Sequence, residues 1–304
     1  MSPETIDLAK NGPGTIPKPK ESLEFSMEKA DAWIEKENDP DIKIIKRKIV
    51  ENIQHISFTE FQDRAEDVVT RALQVLANLD EKYAVFFDYK PHSSKRWMYE
   101  LTANCYTANP PTETGFFTPS WEKMSGNKKL RQIVESGVNT FLISDDAAYS
   151  GEQIVNRQID PIIKFYETEG IQAKPKFVLA IPFVTSHFLR LIDKLREETG
   201  CEFEVFSNSQ MPSLDEILTA DEKRILQVKR EGKLEADDYE QTYLGATVTY
   251  FDHRVADDHS FSGEVRSALD ISAVKPYADE DTSYFKKESA DFEEYKNTVY
   301  PNQS

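Results

Sequence analysis

Phe141-Leu142-Ile143-Ser144-Asp145-Asp146-Ala147-Ala148-Tyr149-Ser150-Gly151-Glu152-Gln153 is the stretch on which the reading of this chain turns. An apolar run ends in two adjacent carboxylates, crosses a short loop with a glycine and resumes at helical spacing, which reads as strand, tight turn and helix. In a parallel sheet such a turn lies at the carboxyl edge of the strands, where ligands bind, and it brings loop amides to a helix N-terminus. Paired carboxylates suit ribose hydroxyls or a Mg2+ ion, and successive backbone N–H groups form a concavity the size of an anion. Together they fit a sugar phosphate. A plainer reading leaves Asp145 and Asp146 as the end of a strand and the cap of a turn.

Outward from that stretch the alternation recurs. Tyr83 to Asp88 reads as a buried strand, a helix resumes at about 95–101, and residues 107–126, with Pro110, Pro111, Gly115, Pro119 and Gly126, read as one long loop. Loops beyond about 12–15 residues in compact domains are often lids. A helix over 127–136, the strand 139–144, a helix over 152–167, a strand over 177–183 and a helix over 185–199 stopped by Gly200 follow, then strands over 202–207 and 246–252. Strands alternating with helices predict an α/β fold, a mostly parallel sheet flanked by helices.

Before that series the pattern is helical. Segments 26–37 and 41–56 come first, the second with Ile42, Ile45, Ile49, Ile53 and Ile56 at steps of three to four. A third helix opens on Ser57-Phe58-Thr59-Glu60, a capping box, and carries the apolar stripe Phe61, Ala65, Val68, Ala72, Val75/Leu76 and Leu79. The expected organisation is therefore a disordered leader at 1–24, a helical N-terminal extension at 25–80, an α/β domain at 81–274 with a helical insertion at 208–244, and an acidic tail at 275–304.

Composition removes whole classes of function. The 304 residues hold 37 Lys+Arg against 54 Asp+Glu, a formal charge of −17. So negative a chain opposes nonspecific binding to nucleic acid or anionic lipid, both polyanions. The longest apolar run, Phe177 to Val184, contains Pro182 and falls far short of the roughly 20 residues a bilayer span needs. Cys105 and Cys201 are too few for a disulfide framework or a cysteine zinc site. No basic cap or apolar segment follows Met1, so the expected location is cytoplasmic, or outside by export without a cleaved signal.

The stretch 141–153 resembles a known signature. Four apolar positions, Asp-Asp, three variable residues and Ser-Gly before a helix are similar to the ribose-phosphate motif of type I phosphoribosyltransferases, which bind phosphoribosyl pyrophosphate. The motif covers about 13 residues, and the order of strands extends the similarity over roughly 80–252. The resemblance implies a phosphoribosyltransferase-like fold in which Asp145 and Asp146 hold the ribose while Ala147, Ala148, Tyr149, Ser150 and Gly151 hold the phosphate. It also implies a pyrophosphate loop after an earlier strand, here Asp88 to Arg96 with Lys90, Lys95 and Arg96, and then a flexible closing loop, here 107–126. Mg2+ is the implied cofactor, with Asp145 and Asp146 as candidate ligands. One departure stands out: the family usually follows Thr-Gly with a small residue and Ser or Thr, where this chain has Glu152 and Gln153. A carboxylate about 5 Å from a dianionic phosphate costs roughly 2 kcal/mol even at water's dielectric. An outward-facing Glu152 in a first helical turn avoids that cost and suits the helix dipole.

A second cluster lies at the end of the last strand, where Tyr250-Phe251-Asp252-His253-Arg254 offers Asp252 and His253 as an acid/base pair. His187 follows Ser186, but no Gly-x-Ser-x-Gly surrounds it and no hydrolase site is read there. Trp97, Phe116, Phe117 and Trp121 read as core or loop anchors that could also stack a base.

Three functions follow. The first is a phosphoribosyltransferase-like enzyme that substitutes at the anomeric carbon of a Mg2+-bound phosphoribosyl or nucleotide substrate, acceptor unspecified. The second is a regulatory or interaction module that keeps such a fold without the reaction. The third is a phosphatase with Asp145 as nucleophile, opposed by Ala147 standing where the common arrangement needs a second acid. The expected partner is a small sugar phosphate or nucleotide, with a second copy of the chain admitted and neither membrane nor nucleic acid.

Overall fold

The computed structural model describes residues 26–88, 94–117, 125–230 and 245–252, with Ser262, Val265, Arg266 and Ala268 beyond them. The expected leader 1–24 and tail 275–304 lie outside these residues.

Helices α1 (Met27–Glu35) and α2 (Pro40–Glu51) open the described chain. Asp39 starts α2, its Oδ1 accepting from the amides of Asp41 at 2.9 Å and Ile42 at 3.3 Å, with Pro40 inside the first turn, where its missing N–H costs nothing. The isoleucine periodicity predicts helix through residue 56, but Asn52 closes α2 and Gln54–Ile56 form a strand, β1. Its partner is almost two hundred residues away, beyond the reach of local periodicity. Helix α3 (Phe58–Asn78) begins at Ser57, whose hydroxyl accepts from the Glu60 amide at 3.3 Å, but the expected capping box is only half formed, since the Glu60 carboxylate accepts from Arg64 one turn on. Of its expected stripe, Phe61, Ala65, Val68, Ala72 and Leu76 are buried and Val75 is partly so, while Leu79, at the capping position after the last helical turn, is exposed.

Strand β2 (Tyr83–Asp88), α4 (Ser94–Leu101) and a 3-10 turn over Ala103–Thr107 come next. The long loop expected at 107–126 is corrected here: Glu113–Phe117 form β3, paired in parallel with β2 from Ala84↔Glu113 to Asp88↔Phe117. The proline and glycine density around Thr114-Gly115-Phe116-Phe117 concealed a short edge strand. After it come α5 (Ser125–Glu135), β4 (Thr140–Ser144), β5 (Ala147–Ala148), α6 (Glu152–Ile154), a π turn over Val155–Ile159 and α7 (Asp160–Thr168). The chain then runs through β6 (Lys176–Ala180), β7 (Phe183–Thr185), α8 (Ser186–Thr199), β8 (Glu202–Phe206), β9 (Ser209–Met211), α9 (Leu214–Ile217), α10 (Ala220–Arg230) and β10 (Thr249–Phe251).

The expected single sheet is three, all with parallel ladders. The main one has the order β3-β2-β4-β6-β8, a smaller one β5-β7-β9, and β1 pairs with β10. The chain is thus α/β, with mostly parallel sheets flanked by helices. On one face Phe141, Ile143, Phe177 and Leu179 pack with residues of α5, α7 and α8; on the other Val85, Leu142, Val178 and Ala180 pack with α3 and Tyr99 of α4.

The three strands β4, β6 and β8 each stop for two residues and continue as β5, β7 and β9 in the same order. The breaks are Asp145-Asp146, Ile181-Pro182 and Ser207-Asn208. At the middle break Pro182 has no N–H to offer, and its carbonyl instead accepts from the amides of Asn208 and Ser209 at 3.0 and 3.1 Å. The aspartate pair therefore interrupts a strand that resumes, and the helix starts only after β5.

Helices α1 and α2 pack away from the main sheet. Ile42, Ile45 and Ile49 share a core with Leu214, Leu218, Leu226, Val248 and Tyr250, and Ala30 and Ile34 meet Ala268. The aromatics Phe61, Phe183, Phe251 and Trp97 join β10 to the β5–β7 layer, Phe251 standing edge-on to Phe183 at 5.0 Å.

Candidate functional site

Strand order reverses between β2 and β4, because the chain leaves β2 outward to β3 and returns on its other side to β4. In open α/β sheets ligands bind at that reversal, beyond the carboxyl ends of the strands. Here the two strands also part: their ladder ends at Val85↔Leu142, while β2 stays paired with β3 to Asp88 and β4 with β6 to Ser144. Asp88, at the end of β2, and Ser144, at the end of β4, stand on opposite sides of this crevice.

Asp145 and Asp146 are 3% and 5% exposed. Asp145 Oδ1 accepts from the Asp146 amide and Asp146 Oδ1 from the Ala147 amide, both at 3.0 Å, so each carboxylate closes the turn at its own position. Ala147 and Ala148 pair with Phe183 and Val184 as strand residues. Tyr149 is half-buried and its carbonyl accepts from the Thr185 hydroxyl, which fixes the loop to the start of α8. Ser150 is exposed, and its hydroxyl accepts from the Glu152 amide at 3.4 Å. Gly151 is left-handed at φ +77, and a Cβ there would stand 2.5 Å from Cδ2 of Phe188. Backbone and packing both exclude any other residue. Among the described residues, the amides of Ser150 and Gly151 donate to no protein group, and Gly151, in the capping position of α6, brings no side chain to it. Glu152 is exposed.

Lys95 and Arg96 belong to the first turn of α4, which packs on β2 and β4. Lys90 lies outside the described residues. Trp97 stacks on Phe61 at 5.3 Å, a core contact, whereas Trp121 is outside the described residues. His187 is exposed in the first turn of α8.

Asp252 is 6% exposed at the end of β10, and His253 lies outside the described residues. Asp252 Oδ1 accepts from Nε2 of His55 at 2.6 Å, its Oδ2 accepts from the Phe58 amide at 3.0 Å, and the His55 ring stacks on Tyr250 at 4.8 Å. Asp252 thus serves the start of α3 and orients a histidine that no local pattern marks. The only clue to His55 is that β1 and β10 pair, which the sequence does not announce.

Among the described residues no group of three or more His, Cys, Asp or Glu side chains converges as a metal site. Two buried hard carboxylates suit Mg2+ in its usual manner, with one or two protein oxygens and the rest from phosphate and water. Asp145 and Asp146 fit the ion only as companions of a phosphorylated ligand.

Comparison with protein-family models, with curated proteins and with solved structures finds no match to this chain.

Proposed function

We propose that the chain is a phosphoribosyltransferase-like protein that binds a phosphoribosyl compound in the crevice between β2 and β4. The supporting observation is two buried carboxylates, Asp145 and Asp146, followed by the amides of Ser150 and Gly151, which donate to no protein group among the described residues, beyond the carboxyl end of a central parallel strand. In this reading the carboxylates orient the ribose hydroxyls, and the loop Ala147–Gly151 receives the 5′-phosphate. Lys90, Lys95 and Arg96 stabilise the departing pyrophosphate as an acceptor attacks the anomeric carbon. Mg2+, held by the substrate's phosphates and a carboxylate of Asp145 or Asp146, would supply neutralisation of pyrophosphate charge. Calorimetric titration with phosphoribosyl pyrophosphate and Mg2+ tests the reading. Asp145→Asn/Asp146→Asn retains the fold, checked by circular dichroism, and loses affinity by roughly 100-fold or more, since two charge-assisted contacts disappear. Equal affinity in the double variant would falsify it.

One observation favours a module that binds without turnover. The carboxylate expected to act with His253 is committed on both oxygens, to His55 and to the Phe58 amide. Heat of binding with no pyrophosphate release across a panel of nitrogenous bases selects this second reading.

A further inference from the structure

At the end of β10 a carboxylate and an imidazole form a pair that strand pairing alone does not require. Asp252 Oδ1 accepts from His55 Nε2 at 2.6 Å, and its Oδ2 accepts from the Phe58 amide at 3.0 Å. A carboxylate only accepts, so Nε2 carries the proton of the neutral imidazole and Nδ1 keeps its lone pair. The ring is fixed a second time through its face, which lies on Tyr250 with centroids 4.8 Å and planes 17° apart. Tyr250 is wholly buried, so the backing is rigid. Edge and face together leave the imidazole one orientation, and 27% of the His55 side chain stays reachable against 8% of Asp252.

A stitch between strands explains less than this. The strands are already joined by the pairs Gln54↔Thr249, His55↔Tyr250 and Ile56↔Phe251, and burying a carboxylate costs stability that apolar residues would not forfeit. A buried carboxylate that sets the tautomer and plane of a reachable imidazole is the arrangement that makes a histidine a base.

Packing ties the pair to the crevice on two sides. Tyr149, in the loop after Asp146, packs against the cluster that contains Tyr250 and also against the one that contains Ile56, Ala147 and Phe251. The Phe58 ring lies 6.2 Å from that of Trp97, the residue after Arg96 in the first turn of α4. The same pair thus adjoins the segments that the phosphoribosyl reading gives to the phosphate and to the pyrophosphate.

We propose that His55 is the general base of that reaction and Asp252 its positioning residue. Nδ1 of His55 takes the proton from the attacking ring nitrogen of a nitrogenous base as the bond from that nitrogen to the anomeric carbon forms. The bond from the anomeric carbon to pyrophosphate breaks, pyrophosphate leaves with the electron pair, and solvent later removes the proton from the imidazole. This rests on the phosphoribosyl reading above in its enzymatic form.

The test uses the full chain with His55→Gln and Asp252→Asn, their folds checked by circular dichroism. Asp252→Asn keeps an oxygen for the Phe58 amide and turns an N–H toward Nε2, so the imidazole proton moves to Nδ1 and the base is lost while the contact remains. Nitrogen-15 NMR is expected to find the proton of the neutral ring on Nε2 in the unmutated protein and on Nδ1 in Asp252→Asn. Pyrophosphate release over a panel of nitrogenous bases falls roughly 100-fold or more in both variants, while calorimetric affinity for phosphoribosyl pyrophosphate with Mg2+ falls by less than about 2-fold. A proton on Nδ1 in the unmutated protein overturns the proposal, as does release that survives in Asp252→Asn. Affinity that falls as far as release means a structural role and overturns it too. Heat of binding without release by the unmutated protein overturns the proposal and leaves the binding reading standing. No heat with the unmutated protein overturns both.

Discussion

Three helices begin beyond β5, β7 and β9, and the residue in the capping position takes part in the cap at two of them but not at the third. At α8 the Thr185 hydroxyl accepts from the Phe188 amide at 3.1 Å. At α9 the Glu216 carboxylate accepts from the Ser213 amide at 2.9 Å in a capping box. At α6 the residue in the capping position is Gly151, which has no side chain to offer. A helix start exposes amides that something must satisfy, and a glycine hands that role to whatever lies outside. The reason for the glycine is steric, since only it allows both the left-handed backbone and the approach of Phe188. The missing cap side chain at α6 and the close approach of Phe188 are therefore two results of one residue.

The contrast can be broken most forcefully at its centre. Gly151→Ala forces a Cβ against Phe188 in a left-handed conformation and is expected to cost about 3 kcal/mol, read from urea midpoints. A loss below about 1 kcal/mol means the loop gives way and its rigidity is an error. Thr185→Ala removes a cap and the tie to the Tyr149 carbonyl, for about 1–2 kcal/mol. Ser150→Ala, at the start of α6, leaves the urea midpoint nearly unchanged, and a loss equal to that of Thr185→Ala would erase the distinction between the two starts. The smallest effect sharpens the third start. Burial raises the Glu216 carboxyl, but bonds from the Ser213 amide, the Ser186 and Ser213 hydroxyls and Gln210 more than reverse it, leaving its pKa below the ordinary 4.5. The unfolded chain takes up that proton first as pH falls, so the contribution is intact above about pH 4.5 and fades below it. Glu216→Gln should narrow the stability difference between neutral and strongly acidic solution; an identical acid dependence in both proteins contradicts the cap.

Much of the central sheet can be read along the chain, because its strands are short apolar runs between amphipathic helices. Ser57 and Glu60 mark the start of α3, and Asp145-Asp146 with Gly151 mark the turn. What escapes local reading depends on distant partners. Ile53 and Ile56 keep helical spacing, yet β1 forms because β10 is there to pair with it. The strand β3 hides among prolines and glycines and is recovered only as the neighbour of β2. Apolar alternation locates the strand that carries Ala147 and Ala148 but does not reveal that the strand pauses at Asp145 and resumes. Asp252 reads locally beside His253, and nothing along the chain points to His55, 197 positions away, which it also holds.

That last separation sets a timetable for synthesis. Residues 54–56 leave the ribosome early, but the strand that completes them, 249–251, arrives only after every strand of the main sheet has been made. Until then His55 has no carboxylate and the hydrophobic side of α2 lacks Val248 and Tyr250. Closing so long a loop is entropically slow, so the apolar side of α2 stays uncovered longer than the faces of the main sheet.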